Sequence, residues 1–539
     1  MARLRSRNPW LALGALCLGL FMILLDTTVV NIAVPSMLTD LHTGLDEILW
    51  VVNIYVLAYA VPLIVAGRLG DRFGRKKLYV IGLVVFTAAS GLCGVADSGE
   101  QLIVARAVQG VGAALMNPQT LAFVTVLFPP AKRGAAFGAW SAVTGMSTIA
   151  GPLLGGLIVE KLDWQWIFFV NVPVGVCGLL LVLLWVPESR TQARHSFGPL
   201  GIALLTGALF AVTFGLLEGS RYHWGTITGR LSVPLLLAVG VVLLAAFGLL
   251  QWKGRDPLVP VRLFADRNFT LANVVATAVG FAMVSLLPLM LFLQAVLGLT
   301  PLQAGVVTAP ASVIAAVIAP FAGFRADRTG GKYLLIAGLL AFAVGIAAAA
   351  VTARPGLSSW AILPAVAAIG AGIGLLFTTM TNVAVGDVSP ELSGAASGVF
   401  NTTRQLGQAL GTAAVGALLQ ATLHHTLTDE ALRRSAGLPT AHRQEFVDSF
   451  EAVGDSGLFA QAPGNTGTAG AAGQPMQQLS TEVFNHGFVS AMRWTLLLPL
   501  GFAVLAALCC LGIRNHRAAA APTALMNPPA DTPVEGTSP

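Results

Sequence analysis

GRLGDRFGRKK at residues 67–77 and GFRADRTGGK at residues 323–332 are two copies of one short motif. Each copy lies between two long apolar runs, where a polar, glycine-rich stretch predicts a turn. Four residues recur at the same offsets: Gly67, Asp71, Arg72 and Gly74 match Gly323, Asp327, Arg328 and Gly330. A polar turn that is repeated in each half of the chain predicts two related bundles of helices.

The composition is typical of a membrane protein. Of the 539 residues, 55% are hydrophobic and only 10% are charged, and the mean hydropathy is +0.77; soluble domains carry roughly 25% charged residues. The apolar runs are long enough for helices that cross about 30 Å of hydrocarbon. The alternating segments of about ten residues that β-barrel strands show do not occur. We therefore predict an all-α integral membrane protein with fourteen transmembrane helices.

These spans divide as six, two and six, because the repeated turns fall at the same place in each six-helix half. The predicted domains are an N-terminal six-helix bundle (1–190), two inserted transmembrane helices with linkers (191–260), a C-terminal six-helix bundle (261–513) that includes a long extracytoplasmic loop (422–488), and a disordered cytoplasmic tail (514–539). Repeated bundles are typical of solute transporters, whose halves rock around a central site. Because one chain holds both halves, we expect a monomer.

The net charge of +6 indicates membrane topology rather than a nucleic-acid partner. Lys and Arg concentrate in the predicted cytoplasmic segments, and the short outer loops hold only Lys161, Arg221, Arg230 and Arg354. By the positive-inside rule we expect both termini to be cytoplasmic in a cell membrane, with the lipid bilayer as a partner. The five cysteines lie in apolar spans without paired spacing, so we expect no metal site.

Asp26 lies well inside the first span, where an acidic side chain is costly and function is the default interpretation. Arg106 lies in the fourth span at a matching depth, with Gln109 beside it, so we predict that Arg106 pairs with Asp26. The alternatives are structural. Asp26 could bond to neighbouring threonines or to Asn31, and Arg106 could anchor a helix end by reaching towards the membrane interface. In the functional interpretation, Asp26 carries a proton.

The first copy of the repeat is rich in basic residues, as a loop on the positive side of a membrane would be. Asp71 does not fit that purpose, and an anion is favoured at a helix N-terminus. SPE at residues 389–391 predicts such an N-terminus for the thirteenth span. We therefore predict a latch between the halves on the cytoplasmic side. The residues assigned to it are Gly67, Asp71, Arg72, Gly74, Arg75, Asp327 and Arg328.

Glycines in the fifth span predict close helix packing, since GPLLGG holds Gly151 and Gly155 at the G-x-x-x-G spacing. Pro152 between them predicts a hinge, although small residues are also ordinary in packed membrane helices. The full set in this span is Gly145, Gly151, Pro152, Gly155 and Gly156.

The polar residues of the thirteenth span either line a cavity or pair with lipid phosphate. The possible cavity residues are Asn31, Asn401, Arg404 and Gln405. Spans nine to twelve are nearly free of acids, which suits a small hydrophobic substrate. A cationic one could be held by aromatic rings and Asp26.

GRLGDRFGRKK, RAVQGVGAA (106–114) and GPLLGG (151–156) resemble the motifs of the major facilitator superfamily. LDTTVVNIAVP, WQWIFFVNVPVG, LQAVLGLTPLQAG and GAASGVFNTTRQLGQALG are similar to stretches of its fourteen-helix drug/proton antiporter branch, the EmrB/QacA type. The resemblance covers residues 10–513 except for the long outer loop.

This resemblance implies export of drugs or antibiotics by alternating access, driven by protons. Asp26 would then be the coupling carboxylate and Arg106 part of the proton relay. Asp71 and Arg75 would belong to the latch, and the glycines of the fifth span to the antiporter motif. Some relatives place a further acid in spans nine to twelve. Its lack here disfavours divalent cations as substrates.

Other functions are weighed against this one. A dedicated exporter of one endogenous metabolite or lipid would share every motif, and proton symport for uptake stays open. No G-x-x-x-x-G-K-[ST] motif occurs, so we expect no cofactor and no use of ATP. The eight histidines lie in loops or at span ends, and H-E-x-x-H and G-x-S-x-G are both missing. We therefore predict that the chain is not an enzyme, and no soluble signalling domain suggests a sensor.

Overall fold

The structure is a computed structural model that describes residues 8–41, 45–188, 199–219, 222, 224–253, 262–385, 388–389, 392–435, 443–444, 446–450 and 474–514. The predicted tail lies almost wholly outside these residues. The helices are α1 (Pro9–Asp40), α2 (Leu45–Ala60), α3 (Leu63–Phe73), α4 (Arg75–Gly94), α5 (Gly99–Leu127), α6 (Pro130–Lys161), α7 (Trp166–Phe169), α8 (Asn171–Trp185), α9 (Pro199–Glu218), α10 (Val233–Lys253), α11 (Arg262–Ala265), α12 (Arg267–Met283), α13 (Leu286–Leu291), α14 (Pro301–Thr329), α15 (Lys332–Thr352), α16 (Leu363–Val385), α17 (Ser393–Ser435) and α18 (Gln474–Cys510).

Two short helical turns of other types interrupt this series. A π-helical turn (Phe292–Val296) follows α13, and a 3₁₀ turn (Ser359–Ile362) precedes α16. A two-stranded antiparallel hairpin, β1 (Thr226–Thr228) and β2 (Leu231–Ser232), connects α9 to α10.

The number of membrane spans differs from the prediction. Within the described residues, twelve helices are long and apolar enough to cross a membrane, and α2 with α3 makes a thirteenth span if this bent pair counts as one. The predicted count of fourteen is therefore not confirmed. Helix α6, which has 32 residues and covers the predicted fifth span, is not among these twelve. The predicted second span bends by 45° at Val61–Pro62, because proline cannot donate the helical hydrogen bond.

Both copies of the repeated motif are more helical than the predicted polar turns. In the first copy only Gly74 stands between α3 and α4, and its φ is 105°. In the second copy Gly330 ends α14 with a φ of 79°. Glycine adopts a positive φ without steric strain. The recurring glycine is therefore explained by the abrupt change of direction between two helices.

Two of the helix pairs that join the N-terminal helices, α1–α8, to the C-terminal helices, α12–α18, contain a copy of the repeated motif. In one pair α3 packs against α17, and in the other α6 packs against α14. We call these the α3–α17 seam and the α6–α14 seam. The inserted helix α9 packs against α10 and also contacts α2 and α17.

The predicted outer loop at 422–488 is helical at both of its ends. Helix α17 continues to Ser435, and α18 begins at Gln474. The continuation follows a repeat of four residues, in which Leu419, Leu423 and Leu427 are all buried, so α17 keeps one apolar face beyond the predicted end. Thr426 donates a hydrogen bond of 2.9 Å to the carbonyl of Gly487 on α18.

Candidate functional site

Asp26 and Arg106 form a buried ion pair between α1 and α5. Arg106 Nη1 donates to Asp26 Oδ2, and both side chains are about 1% exposed. Gln109, one turn after Arg106, donates from Nε2 to Asp26 Oδ1 at 2.9 Å and accepts from Arg106 Nη1 at 2.9 Å. The three predicted residues therefore form a closed triangle of hydrogen bonds. A charge at membrane depth needs such partners.

Helix α2 supplies the other contacts of Arg106. The guanidinium lies over the ring of Tyr55 at 4.0 Å, and Nε donates to the carbonyl of Val51 at 3.3 Å. Tyr55 in turn donates from its hydroxyl to the carbonyl of Ile23 on α1. Stacking on an aromatic face stabilises a desolvated cation. Arg106 is thus held by contacts with α1, α2 and its own helix α5, and its side chain is buried.

Asn171 extends this network, and the sequence reasoning missed it. Its amide donates to Ser90 Oγ at 3.1 Å and reaches Asp26 Oδ1 at 3.5 Å, and it is 2% exposed. Ser90 donates to the carbonyl of Phe168 at 2.9 Å. The signal was present, because Asn171 interrupts an apolar span, and the argument applied to Asp26 applies to any polar group at that depth.

Asp26 is enclosed by these partners. It is 2% exposed, and both of its carboxylate oxygens accept hydrogen bonds within the N-terminal helices. The carboxylate is therefore occupied by Arg106 and Gln109, and a cationic ligand would have to displace them. This geometry suits a group that exchanges a proton inside a network rather than one that holds a ligand directly.

The predicted latch residue Asp71 lies against the start of α17. Its Oδ1 accepts two hydrogen bonds from Arg75, at 2.8 and 3.2 Å, and its Oδ2 accepts one from the amide of Ala395 at 3.2 Å. The side chains of Asp71 and Arg75 are each 1% exposed. The predicted helix start near Ser389 is displaced, since α17 begins at Ser393.

Glycines bring the backbones of the α3–α17 seam into contact. A Cβ on Gly67 would collide with the carbonyl of Gly394, and a Cβ on Gly398 would lie 3.0 Å from the backbone of α3. The α6–α14 seam repeats this arrangement, because a Cβ on Gly323 would collide with the carbonyl of Gly134. Gly67 and Gly323 are the first residues of the two motif copies. Their recurrence therefore reflects two equivalent crossings of helices.

The glycines of the predicted antiporter motif line both sides of α6. Gly151 lies against Thr28 and Gly155 against Val29, both on α1. On the other side a Cβ on Gly145 or on Gly156 would lie 3.5 Å from side-chain atoms of α14, an ordinary van der Waals distance. Helix α6 is continuous through residue 152. This set of glycines therefore packs α6 between α1 and the α6–α14 seam.

A second polar cluster joins α2, α5 and α17. Asn117 donates to the hydroxyl of Tyr59 and, at 3.3 Å, to Asn401 Oδ1. Asn401 donates to the carbonyl of Ser397 at 2.9 Å, and Arg404 lies one turn further along α17. Asn401 and Arg404 were predicted as cavity residues. Tyr59 and Asn117 were not predicted, although asparagine inside an apolar span was again the signal.

The remaining predicted residues are placed as follows. Arg72 and Arg328 are exposed and lie over Phe73 and Phe324. Gln405 is partly buried. The side chains of Asn31, Pro152 and Asp327 lie outside the described part of the structure, and the parts assigned to them stay predictions. Within the described residues, no three His, Cys, Asp or Glu side chains are grouped so that they could hold a metal ion.

Known proteins share both the sequence pattern and the fold. A family model described as Major Facilitator Superfamily matches residues 16–412. The chain belongs to this superfamily. The solved structure of the proton:xylose symporter XylE matches this chain with a TM-score of 0.54 and 15% identity. The match covers 83% of this chain and 94% of that one. At this identity the likeness establishes the fold alone.

Two relatives are similar in sequence. The tetracenomycin C resistance and export protein of Streptomyces glaucescens is 34% identical over 518 residues, which is 95% of this chain and 93% of that protein. The multidrug resistance protein Stp of Mycobacterium tuberculosis is 35% identical over 424 residues, which is 78% of each. The superfamily match predicted from the motifs is confirmed.

Proposed function

We propose that this chain exports hydrophobic drugs or antibiotics across the cell membrane in exchange for protons. The superfamily membership and the names of the two relatives support export. The observation that carries the proton exchange is the buried network of Asp26, Arg106 and Gln109. Asp26 and Arg106 lie inside α1 and α5, whereas the other fully buried ion pair of the described residues, Asp71 with Arg75, lies where α3 ends and α4 begins.

Protonation of Asp26 would weaken its pairing with Arg106. The guanidinium would then rely on Gln109, Tyr55 and the carbonyl of Val51. These contacts hold α1, α2 and α5 together, so a change of charge on Asp26 alters how the three helices pack. Release of the proton restores the ion pair. This cycle gives α1 and α5 two arrangements, as alternating access requires.

The two seams transmit this change. Rocking of the N-terminal helices against the C-terminal helices requires one end of the α3–α17 seam to open, and the contact of Asp71 with Ala395 holds that end. Gly67 and Gly323 allow the flat backbone contact that such sliding needs. One proton moving down a membrane potential supplies about 2.3 kcal/mol per 100 mV, which supports a substrate gradient of roughly tens-fold.

The remaining parts of the proposal rest on the amino-acid sequence. Both termini are cytoplasmic, the Asp71 end of the seam faces the cytoplasm, and the chain works as a monomer in the lipid bilayer. It uses neither ATP nor a cofactor, binds no nucleic acid, and has no enzymatic activity. Its partners are protons and a small hydrophobic substrate.

Inside-out membrane vesicles test this proposal. The vesicles are energised, and a fluorescent dye reports the pH gradient while hydrophobic antibiotics are added one at a time. Export predicts a fall in the gradient on addition of a substrate, and uptake of that substrate that a protonophore abolishes. Uptake driven by ATP in the presence of protonophore would contradict the proposal, as would no response to any compound.

A dedicated exporter of one compound is the second candidate. The tetracenomycin C resistance and export protein, which matches 95% of this chain, is named for a single antibiotic and favours this candidate. Stp, by contrast, is named for multidrug resistance. The same panel separates the two candidates, because several unrelated active compounds indicate a multidrug exporter and one active compound indicates a dedicated exporter.

A further inference from the structure

Arg404 is a cation placed between the two parts of the chain. It lies on α17, one turn after Asn401, which accepts a hydrogen bond from Asn117 on α5. Its guanidinium lies 5.9 Å from the ring of Phe377 on α16, and Asn117 also donates to the hydroxyl of Tyr59 on α2. Tyr59 is 2% exposed and Phe377 7%. Arg404 therefore lies among interior side chains contributed by both the N-terminal and the C-terminal helices.

The charge of Arg404 is not balanced within the described residues. None of the ion pairs formed by the described side chains involves it. The buried acids are engaged elsewhere, since Asp26 pairs with Arg106, Asp71 pairs with Arg75, and Glu218 accepts from Asn53 at 2.7 Å. An arginine stays ionised at every physiological pH. Arg404 is partly buried, and a partly desolvated cation without a counter-charge is costly, so among the described residues this site lacks an anion.

Buried polar atoms of this cluster also lack hydrogen-bond partners within the described residues. They are Arg404 Nε, Ser397 Oγ two turns earlier on the same face of α17, and Asn117 Oδ1 on α5; the first two can donate a hydrogen bond, whereas Asn117 Oδ1 can only accept one. Asn117 is 1% exposed and Ser397 is fully buried. Buried polar groups are nearly always paired in native proteins. One unpaired donor on a cation, with hydroxyls that can also donate nearby, matches what a negatively charged oxygen group accepts.

We propose that Arg404, with the hydroxyls of Tyr59 and Ser397, recognises an anionic group of the exported compound. This inference rests on the proposed export function and names its substrate class: aromatic or otherwise hydrophobic compounds that bear a negatively charged oxygen group. The face of Phe377 supplies the apolar contact, and Arg404 supplies the counter-charge. Cationic compounds, which the sequence alone suggested, would meet a like charge here, and Asp26 is already occupied by Arg106.

A lipid phosphate offers the same chemistry as an anionic solute. The position of Arg404 favours the solute, because Tyr59 and Phe377 are buried and do not face lipid. A phosphate group would also have to leave the headgroup region to reach interior side chains. The two sources differ in what they respond to, namely the charge of the added compound or the composition of the bilayer.

The test uses three probes that share one ring system. They are anthraquinone-2-sulfonate, which is anionic at every relevant pH, its neutral sulfonamide, and the matching trimethylammonium cation. The purified full chain is reconstituted in phosphatidylcholine vesicles, with and without phosphatidylglycerol, under an imposed pH gradient. Each probe competes with a compound that the antibiotic panel has identified as exported. Arg404→Gln and Arg404→Lys are compared with wild type and with Arg354→Gln, which removes the same charge from an exposed position.

In wild type the sulfonate should compete about tenfold better than the sulfonamide, as one charge-assisted hydrogen bond predicts, and the cation should compete least. Arg404→Gln should remove this difference while neutral compounds are still exported, Arg404→Lys should keep part of it, and Arg354→Gln should behave as wild type.

Equal competition by the three probes, or a preference unchanged in Arg404→Gln, would overturn the inference. A dependence on phosphatidylglycerol that disappears in Arg404→Gln, without any preference for the sulfonate, would assign Arg404 to lipid instead. If the panel yields no exported compound, the export function itself has failed.

Discussion

The carboxylate of Asp71 accepts a hydrogen bond from the backbone amide of Ala395, which lies 324 residues further along the chain. Amides in the first turn of a helix have no partner within the helix, and the positive end of the helix dipole favours an anion there. Arg75 pairs with the other oxygen of the same carboxylate. One acidic side chain thus ties α3 and α4 to α17 at one end of a seam between the two parts of the chain.

Neutralising Asp71 should loosen this end of the seam. In Asp71→Asn, the charge-assisted bonds to Ala395 and Arg75 become weaker, so the start of α17 should be open for a larger fraction of the time. Cysteine labelling measures this opening. Ala396 is fully buried, so a cysteine placed there reports opening of the seam. With the five native cysteines replaced by alanine, the thiol introduced by Ala396→Cys should react with N-ethylmaleimide about tenfold faster when Asp71→Asn is also present than when Asp71 is kept. An unchanged rate would mean that the hydrogen bond to Ala395 does not hold the seam.

Adding one methyl group at Gly67 or at Gly323 should push apart the two helices of the α3–α17 seam or of the α6–α14 seam, respectively. A Cβ there would collide with the carbonyl of Gly394, and overpacking of this kind costs about 1–3 kcal/mol. Gly67→Ala and Gly323→Ala should therefore each lower the apparent melting temperature of the purified protein. The matched control is Gly14→Ala on α1, where a Cβ meets nothing within 4 Å. This control should be neutral or slightly stabilising, because alanine favours helix over glycine. Equal effects at all three positions would contradict the close contact.

The ion pair of Asp26 and Arg106 should couple strongly in a double-mutant cycle. Removing one partner leaves a buried charge, so Asp26→Asn or Arg106→Gln alone should destabilise the protein by about 3–5 kcal/mol. The double variant removes both charges and should be destabilised by less than the sum of the two single changes. Thermal unfolding of the four proteins in the same detergent provides the comparison. Additive effects would indicate that the two side chains do not depend on each other.

Asn171 should tune this pair, although the sequence reasoning did not identify it. Asn171→Ala removes the donor to Ser90 and the 3.5 Å contact to Asp26, and a moderate loss of proton-coupled export is expected. Asn171→Asp places a second carboxylate beside Asp26, where it competes for Arg106, so the loss should be larger. Export rates of both variants, measured at equal protein content, give the order. A milder effect of Asn171→Asp than of Asn171→Ala would place Asn171 outside the network.

The sequence predicted the pairing of Asp26 with Arg106, because a charge in an apolar span requires a partner and only a few residues lie at the matching depth. It also located the contact of Asp71 at the start of the thirteenth span. It did not predict Asn117, Tyr59 or Asn171, since their partners depend on how helices rotate against one another, and hydropathy does not record rotation.

The helix bounds show a similar limit of sequence reasoning. Hydropathy ends a span where polar residues begin, but α17 continues to Ser435 because its apolar face persists at a spacing of four residues. The count of fourteen spans is not confirmed, since twelve of the described helices, or thirteen spans with the bent pair of α2 and α3, are long and apolar enough to cross a membrane.

The central claim is that proton exchange runs through Asp26. The most direct measurement compares wild type with Asp26→Asn in energised inside-out vesicles, with a pH-sensitive dye and a compound that wild type exports. Our account predicts that the compound dissipates the pH gradient in wild type and has no effect in Asp26→Asn, while the purified variant still binds the compound. A substrate-dependent fall in the gradient that persists in Asp26→Asn would contradict the account and leave the ion pair with Arg106 as a structural contact.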